Sequence, residues 1–187
     1  MNILGTIASQ FSSKPFGSFE SIATITLTSS QSILSFSSIP QTYKHLQLRG
    51  LFRSTYSATG AGGYIDFNGQ SSSTYRAHVI YGNATTIGTY DSGALSFGMY
   101  WGADTAALSA ANLFGVQVCD ILDYTSTTKN KVIRNYSGKD GNSNDSAILL
   151  TSGLWVDQSA ISSLNIKFGG AAQWDAGTTV ALYGIKG

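Results

Sequence analysis

The stretch Ile39–Arg53, IPQTYKHLQLRGLFR, decides the fold. Pro40 opens a turn, and from His45 the residues alternate, with Leu46, Leu48, Gly50 and Phe52 in one phase and His45, Gln47, Arg49, Leu51 and Arg53 in the other. A period of two is the pleat of a β-strand, whose successive side chains point to opposite faces. One face of this strand is therefore expected to pack on a core and the other to look outward.

The same grammar extends in both directions. Upstream, FESIATITL (19–27) is expected to place Phe19, Ala23, Ile25 and Leu27 on one face and Glu20, Ile22, Thr24 and Thr26 on the other. Ser29-Ser30-Gln31 breaks that strand and SILSF (32–36) begins another. Downstream, strands are expected near 63–68, 75–81, 95–101, 113–122, 130–137, 146–151, 161–168 and 178–185. Clusters of Gly, Ser, Asn and Asp such as GNATTIGTYDSG and GKDGNSND separate them and read as turns and loops. A helical turn is expected only in ADTAALSAANLF (103–114), with Asp104 or Thr105 as its cap. Many short strands with such punctuation predict an all-β fold, an antiparallel β-sandwich of jelly-roll-like form. It is expected to be one domain over 19–187, preceded by a short N-terminal arm, 1–18.

Composition supports this reading. Only 11% of the 187 residues are charged, against about 25% in an average soluble domain. Polarity comes instead from 27 Ser and 18 Thr, with a single Glu, Glu20. Solvent-facing helix positions draw on Glu, Lys, Arg and Gln, so a long helical protein is disfavoured. A 42% hydrophobic content with a net charge of +1 also disfavours intrinsic disorder. The near-neutral balance argues against a nucleic-acid surface, and no apolar run reaches the roughly 20 residues of a membrane-spanning helix. With no basic residue before its apolar patch, the N-terminus is not expected to be a secretory signal. Cys119, the only cysteine, cannot form an intramolecular disulfide, and its setting LFGVQVCDIL predicts a buried thiol. The arm carries Ile3, Leu4, Ile7 and Phe11; these apolar residues are expected to anchor it against a neighbouring subunit.

Chemistry-bearing motifs are sparse, and no catalytic residue, cofactor or metal is expected. His45 and His78 stand on separate strands, whereas a cupin-type metal site wants several histidines and a carboxylate together. Asp120 and Asp123 flank an Ile-Leu pair and are expected at a strand end and turn, pointing to opposite faces, which does not suit paired-carboxylate hydrolysis. Asp66, in YIDFNG, is expected on a surface-facing strand position. Asp140-Gly-Asn142-Ser-Asn144-Asp145 begins like a calcium loop but has Asp145 in place of the turn glycine and Thr151 in place of the bidentate Glu; a hairpin turn is the plainer reading. Three glycosylation-type triplets, at Asn83, Asn135 and Asn144, arise readily in so Ser/Thr-rich a chain. Tyr56, Tyr64, Tyr75, Tyr81, Tyr90, Tyr100, Trp101, Trp155 and Trp174 would stack on sugars if several met at one loop end; strand packing accounts for them otherwise.

Several segments taken together resemble a known group. FESIATITL (19–27), FSSIPQTYKHLQLRG (36–50), YIDFNG (64–69), TYRAHVIYG (74–82), DILDYTSTTKNKVIRNYSG (120–138), SGLWVDQSAISSLNIKF (152–168) and above all GTTVALYGIKG (177–187) are similar, in the same order, to small β-rich virion proteins of tailed bacteriophages. The resemblance implies a non-enzymatic virion structural protein of the capsid decoration, cement or head-fibre type, made in the host bacterial cytoplasm. Its expected partners are copies of itself, with a trimer favoured, and the major capsid protein or other virion proteins. The alternative is a tail-fibre or receptor-binding module that recognises host surface glycan. Neither nucleic acid nor membrane is an expected partner.

Overall fold

A computed structural model describes residues 18–96, 98–106, 108–141, 146–168 and 171–187. The arm residues Ile3, Leu4, Ile7 and Phe11 lie outside the described residues, as does the Asn142–Asp145 part of the calcium-like loop.

The described chain forms twelve strands: β1 (Phe19–Thr26), β2 (Ile33–Phe36), β3 (His45–Phe52), β4 (Gly60–Phe67), β5 (Tyr75–Asn83), β6 (Ile87–Asp91), β7 (Met99–Thr105), β8 (Gly115–Ile121), β9 (Lys131–Lys139), β10 (Ala147–Trp155), β11 (Leu164–Lys167) and β12 (Thr179–Ile185). In β3 the alternation holds: Leu46, Leu48 and Phe52 are fully buried, and Leu51 faces out. All pairings are antiparallel, in an eight-stranded sheet ordered β1-β12-β3-β8-β9-β10-β5-β6 and a four-stranded sheet ordered β2-β11-β4-β7.

The pairings reveal how the chain is wound. β1 pairs with β12, β2 with β11, β3 with β8 and β4 with β7. These are the nested rungs of one long hairpin rolled over into two facing sheets, which is a jelly roll. The remaining strands are additions: β5 and β6 leave the roll between β4 and β7, and β9 and β10 leave it between β8 and β11. Together they extend the large sheet beyond β8, so that its outer surface is wider than the roll alone would supply.

The core lies between the sheets and is built from aromatics. Phe52 meets Trp174 edge-on at 5.1 Å and Trp101 at 5.8 Å, while Phe67 lies 5.4 Å from Trp155. Each fully buried large apolar side chain contributes about 1.5–3 kcal/mol relative to exposure, and aromatic pairs add roughly 0.5–1.5 kcal/mol. The indole N–H of Trp174 donates to the Ile166 carbonyl at 3.1 Å. Cys119 is fully buried, as its apolar setting predicts.

Three local expectations are corrected. The helical turn over 103–114 is absent among the described residues: 99–105 is β7, paired with Gly60–Ile65 of β4, and turns follow, with Asn112 at φ +62°. Pairing to a neighbouring strand overrides the high helix propensity of Ala. The segment read as a loop at GNATTIGTYDSG contains β6, because Asn83 Oδ1 accepts from the amides of Thr85 (3.1 Å) and Thr86 (2.8 Å) and closes a hairpin from β5. In β1 a bulge between Ser21 and Ala23 shifts the phase. Phe19 therefore turns outward and stacks on Tyr183 at 4.6 Å, while Ile22 joins Ile25 and Leu27 at the core.

Candidate functional site

β9 shows most directly how the outer face of the large sheet is composed. Its inner phase is Lys131, Ile133, Asn135 and Ser137, all buried, and its outer phase carries Val132, Arg134 and Tyr136, all exposed. Three of the four inner side chains are polar and two of the three outer ones are apolar, unlike a strand whose outer face meets only water. On β10, Ile148 and Leu150 likewise look outward while Thr151 is buried.

Register joins these residues into rows across the outer face. The first runs Val116, Gly138, Ile148, Gly82, Ile87, from β8 to β6, with Leu51 of β3 beside Val116. The second runs Val118, Tyr136, Leu150, Ile80, Thr89, and the third Asp120, Arg134, Ser152, His78, Asp91. Apart from Val118, the large side chains of the first two rows are between 43% and 85% exposed, the most at Ile87. Gly138 and Gly82 leave shallow dimples between them: a Cβ placed there would meet its nearest neighbours at 3.5 Å and 3.6 Å, ordinary contact distances. The result is a groove of about 730 Å³ along the first row, flanked by Phe114 and Lys139. Contiguous apolar surface of this kind marks an interaction site on a folded protein.

A second recess of about 370 Å³ opens on the inner side of the extension, where Tyr81, Tyr90 and Tyr100 meet Asn83 and Lys139. Tyr100 is met edge-on by Tyr90 at 5.5 Å and Tyr64 at 6.1 Å. Burial, with Tyr64 adding a smaller effect, pushes the Tyr90 phenol up to about 12, so it stays neutral and able to donate. Four of the candidate sugar-stacking aromatics thus come together. Tyr75, Trp101, Trp155 and Trp174 are core residues, and Tyr56 borders an adjoining recess with Phe168.

The remaining candidates are dispersed. His45 Nδ1 accepts the Asp123 amide at 3.0 Å, and His78 lies on the outer face 3.7 Å from Asp91. Asp120 faces out, accepting from Gln47 at 2.7 Å and paired with Arg134 at 3.5 Å. Asp123, past the end of β8 at φ +48°, binds Lys129 at 2.7 Å and Lys44 at 3.1 Å. Burial raises the Cys119 thiol far above its ordinary value, leaving it a poor nucleophile. Asp140 accepts from Ser146 Oγ at 3.0 Å. Among the described residues no three His, Cys, Asp or Glu side chains gather to hold a metal ion.

Asp66 corrects an expectation. It occupies the outward-pointing phase of β4, as its position in YIDFNG predicts, yet it is only 1% exposed. Asn165 donates to it at 2.9 Å and Lys167 pairs with it at 2.6 Å, both from β11, and these side chains lie over it.

Sequence reasoning missed the outer apolar rows because they exist only across strands. Ile80, Tyr136 and Ile148 are far apart in the chain, and each alone reads as an ordinary strand residue. The available signal was Val132-x-Arg134-x-Tyr136 alternating with Lys131 and Asn135, two phases of similar polarity.

Fold and surface together define a jelly-roll protein with an enlarged, partly apolar outer face. No family model matches the sequence, and no curated protein matches it. Five chains of solved structure are similar. One is the crystal structure of the Caenorhabditis elegans galectin LEC-6, at 10% identity and a TM-score of 0.32, covering 85% of this chain and 94% of that one. That likeness is too loose to bear on function.

Proposed function

We propose that this chain is a non-enzymatic structural protein of a bacteriophage particle, of the capsid decoration or head-fibre type, that self-associates and docks through its N-terminal arm. The observation that supports the reading is the pair of apolar rows on the outer face of the large sheet, set in a chain with few ionised side chains. Such a surface packs against protein with little charge to desolvate. The resemblance to virion proteins of tailed phages supplies the setting, and Ile3, Leu4, Ile7 and Phe11 are the residues assigned to the shell contact. Mass spectrometry of gradient-purified particles should find the chain in many copies, and particles bearing a chain that lacks 1–18 should lose it. Its absence from purified particles would overturn the assignment, and full occupancy without the arm would overturn the tether.

A second reading, a tail-fibre or receptor-binding module for host surface glycan, is favoured by the recess of Tyr81, Tyr90 and Tyr100 beside Asn83. Aromatic faces with an amide at their edge suit the apolar face and hydroxyls of a sugar. A glycan array decides: this reading requires a saturable signal that Tyr90→Ala abolishes, and a blank array removes it.

A further inference from the structure

We propose that the outer face of the extension is the self-association surface of a two-fold pair, in which the β9-β10-β5-β6 face of one copy packs on the same face of a second. The inference deepens the assembly reading above and rests on it for its biological setting, though not for its geometry.

The argument begins with shape. Along the first row, large and absent side chains alternate: Val116, Gly138, Ile148, Gly82, Ile87. A two-fold axis lying in the interface, parallel to the strands and between β10 and β5, brings β10 over the second copy's β5 and β9 over its β6. Ile148 then meets the dimple at Gly82 of the second copy, and Ile87 meets the dimple at its Gly138. Neither dimple is filled in this chain: a Cβ at Gly82 or Gly138 would make only ordinary contacts, with Ile148 beside both and the Ala147 carbonyl beside Gly138. Closed pairs of identical chains use one self-complementary patch in this way.

The same operation, with nothing adjusted, satisfies the other two rows. In the second, Leu150 falls opposite Ile80 of the second copy, apolar on apolar, and Tyr136 falls opposite Thr89. In the third, Arg134 falls opposite Asp91 and Ser152 opposite His78. Charge is therefore complementary where the patch meets its polar rim, and charge at a rim selects register and partner. Shifting the axis by one strand would set Ile148 on itself, Gly138 on Gly82 and Arg134 against His78.

Size points the same way. On the four strands that pair, the large side chains of the first two rows, Tyr136, Ile148, Leu150, Ile80 and Ile87, are between 43% and 85% exposed. That exposure amounts to on the order of 600 Å², and with Thr89 and the third row it approaches the ~800 Å² per partner of a standard interface. Packed sheets keep their strands within about 30° of one another, so the twist of the two faces is compatible with the pairing. A trimer closes through two different patches, whereas this complementarity is two-fold.

The test is the mass of the full chain in solution, by light scattering and sedimentation over a range of concentrations. Twice the chain mass is expected. Ile148→Glu and Gly82→Leu should each raise the dissociation constant at least ~10-fold while leaving the circular dichroism spectrum unchanged, and should lower the melting midpoint only as far as loss of the pair requires. Arg134→Asp and Asp91→Arg should each weaken the pair, and the two together in one chain should recover it. A wild-type monomer or trimer at all concentrations overturns the proposal, as does a dimer indifferent to both row-one variants. A double charge variant no tighter than either single one overturns the register. Detection of the chain in particles is a separate measurement, so failure of the pairing and failure of the virion assignment are distinguishable.

Discussion

Asp66 of β4 and Lys167 of β11 lie 2.6 Å apart across the small sheet, the carboxylate buried and the side chain of Lys167 22% exposed. Asn165 donates to the other carboxylate oxygen at 2.9 Å and itself accepts from Ser35 at 2.7 Å. A polar ladder thus crosses three neighbouring strands on a face where each strand alone is narrow. Removing one member of a buried pair strands the other, at a cost of about 3–5 kcal/mol. Lys167→Met is expected to destabilise by about 3 kcal/mol, toward the low end because the lysine is partly in water. Lys167→Met with Asp66→Asn should cost less than Lys167→Met alone, and urea unfolding of the four-member cycle measures the difference.

Lys131 makes the opposite arrangement. Among the described residues no carboxylate lies against its buried ammonium, which donates to the carbonyls of Ser126 (2.8 Å), Lys129 (2.8 Å) and Gln158 (3.1 Å). Burial lowers its pKa, opposed by the more distant Asp157 and Asp123. The residue ties two loops to the start of β9. Lys131→Met keeps the stem and leaves three carbonyls without that donor, for an expected loss of about 2–4 kcal/mol in chemical denaturation. Hydrogen exchange should quicken in 124–130 and 157–161 before it does in β3.

Gly102 sits in β7 at φ +142°, where a side chain is strained. A Cβ there would lie 2.6 Å from both Asn135 Nδ2 and Ser137 Oγ. The close approach lets Asn135 donate to the Trp101 carbonyl and so holds β7 against the extension. Gly102→Ala is expected to lower stability by about 2–4 kcal/mol, read as a lower denaturation midpoint with little change in slope. An alanine variant as stable as the parent would contradict this.

Asp123 gives the acid limb of stability. Lys129, then Lys44, hold its carboxyl down at about 2, against an ordinary 3.8. A folded-state value below the unfolded one contributes stability that is present above the unfolded pKa and is lost as pH falls through the folded one. The window is therefore from about pH 4 down to about pH 2. Asp123→Asn retains a residue that tolerates φ +48° and should flatten the fall in melting midpoint across that window. A carboxyl resonance of Asp123 titrating near 4 by NMR would contradict the assignment.

Much of the fold is legible in the chain. The phase of Leu46, Leu48 and Phe52, the burial of Cys119 and the succession of short strands follow from side-chain period and composition, because a half-buried strand must alternate. Other features depend on partners the chain cannot display. Ala103–Thr105 is a strand because β4 lies beside it, and Asp66 is buried because Lys167 and Asn165 cover it from another strand. β6 went unseen because its exposed face leaves Ile87, Thr89 and Asp91 without an apolar alternation.

The candidate site divides in the same way. Sequence by itself determined that this is an all-β chain with few charges and no evident catalytic motif, since those properties are local and additive along the chain. Tertiary structure decided which residues share a surface. Ile148 becomes a knob between two dimples only when Gly138 and Gly82 are brought beside it by register, and Tyr81, Tyr90 and Tyr100 become a recess only when β7 crosses the extension. The physical reason is that a sheet face is read across strands, perpendicular to the chain, and antiparallel registry sets neighbours that sequence distance conceals.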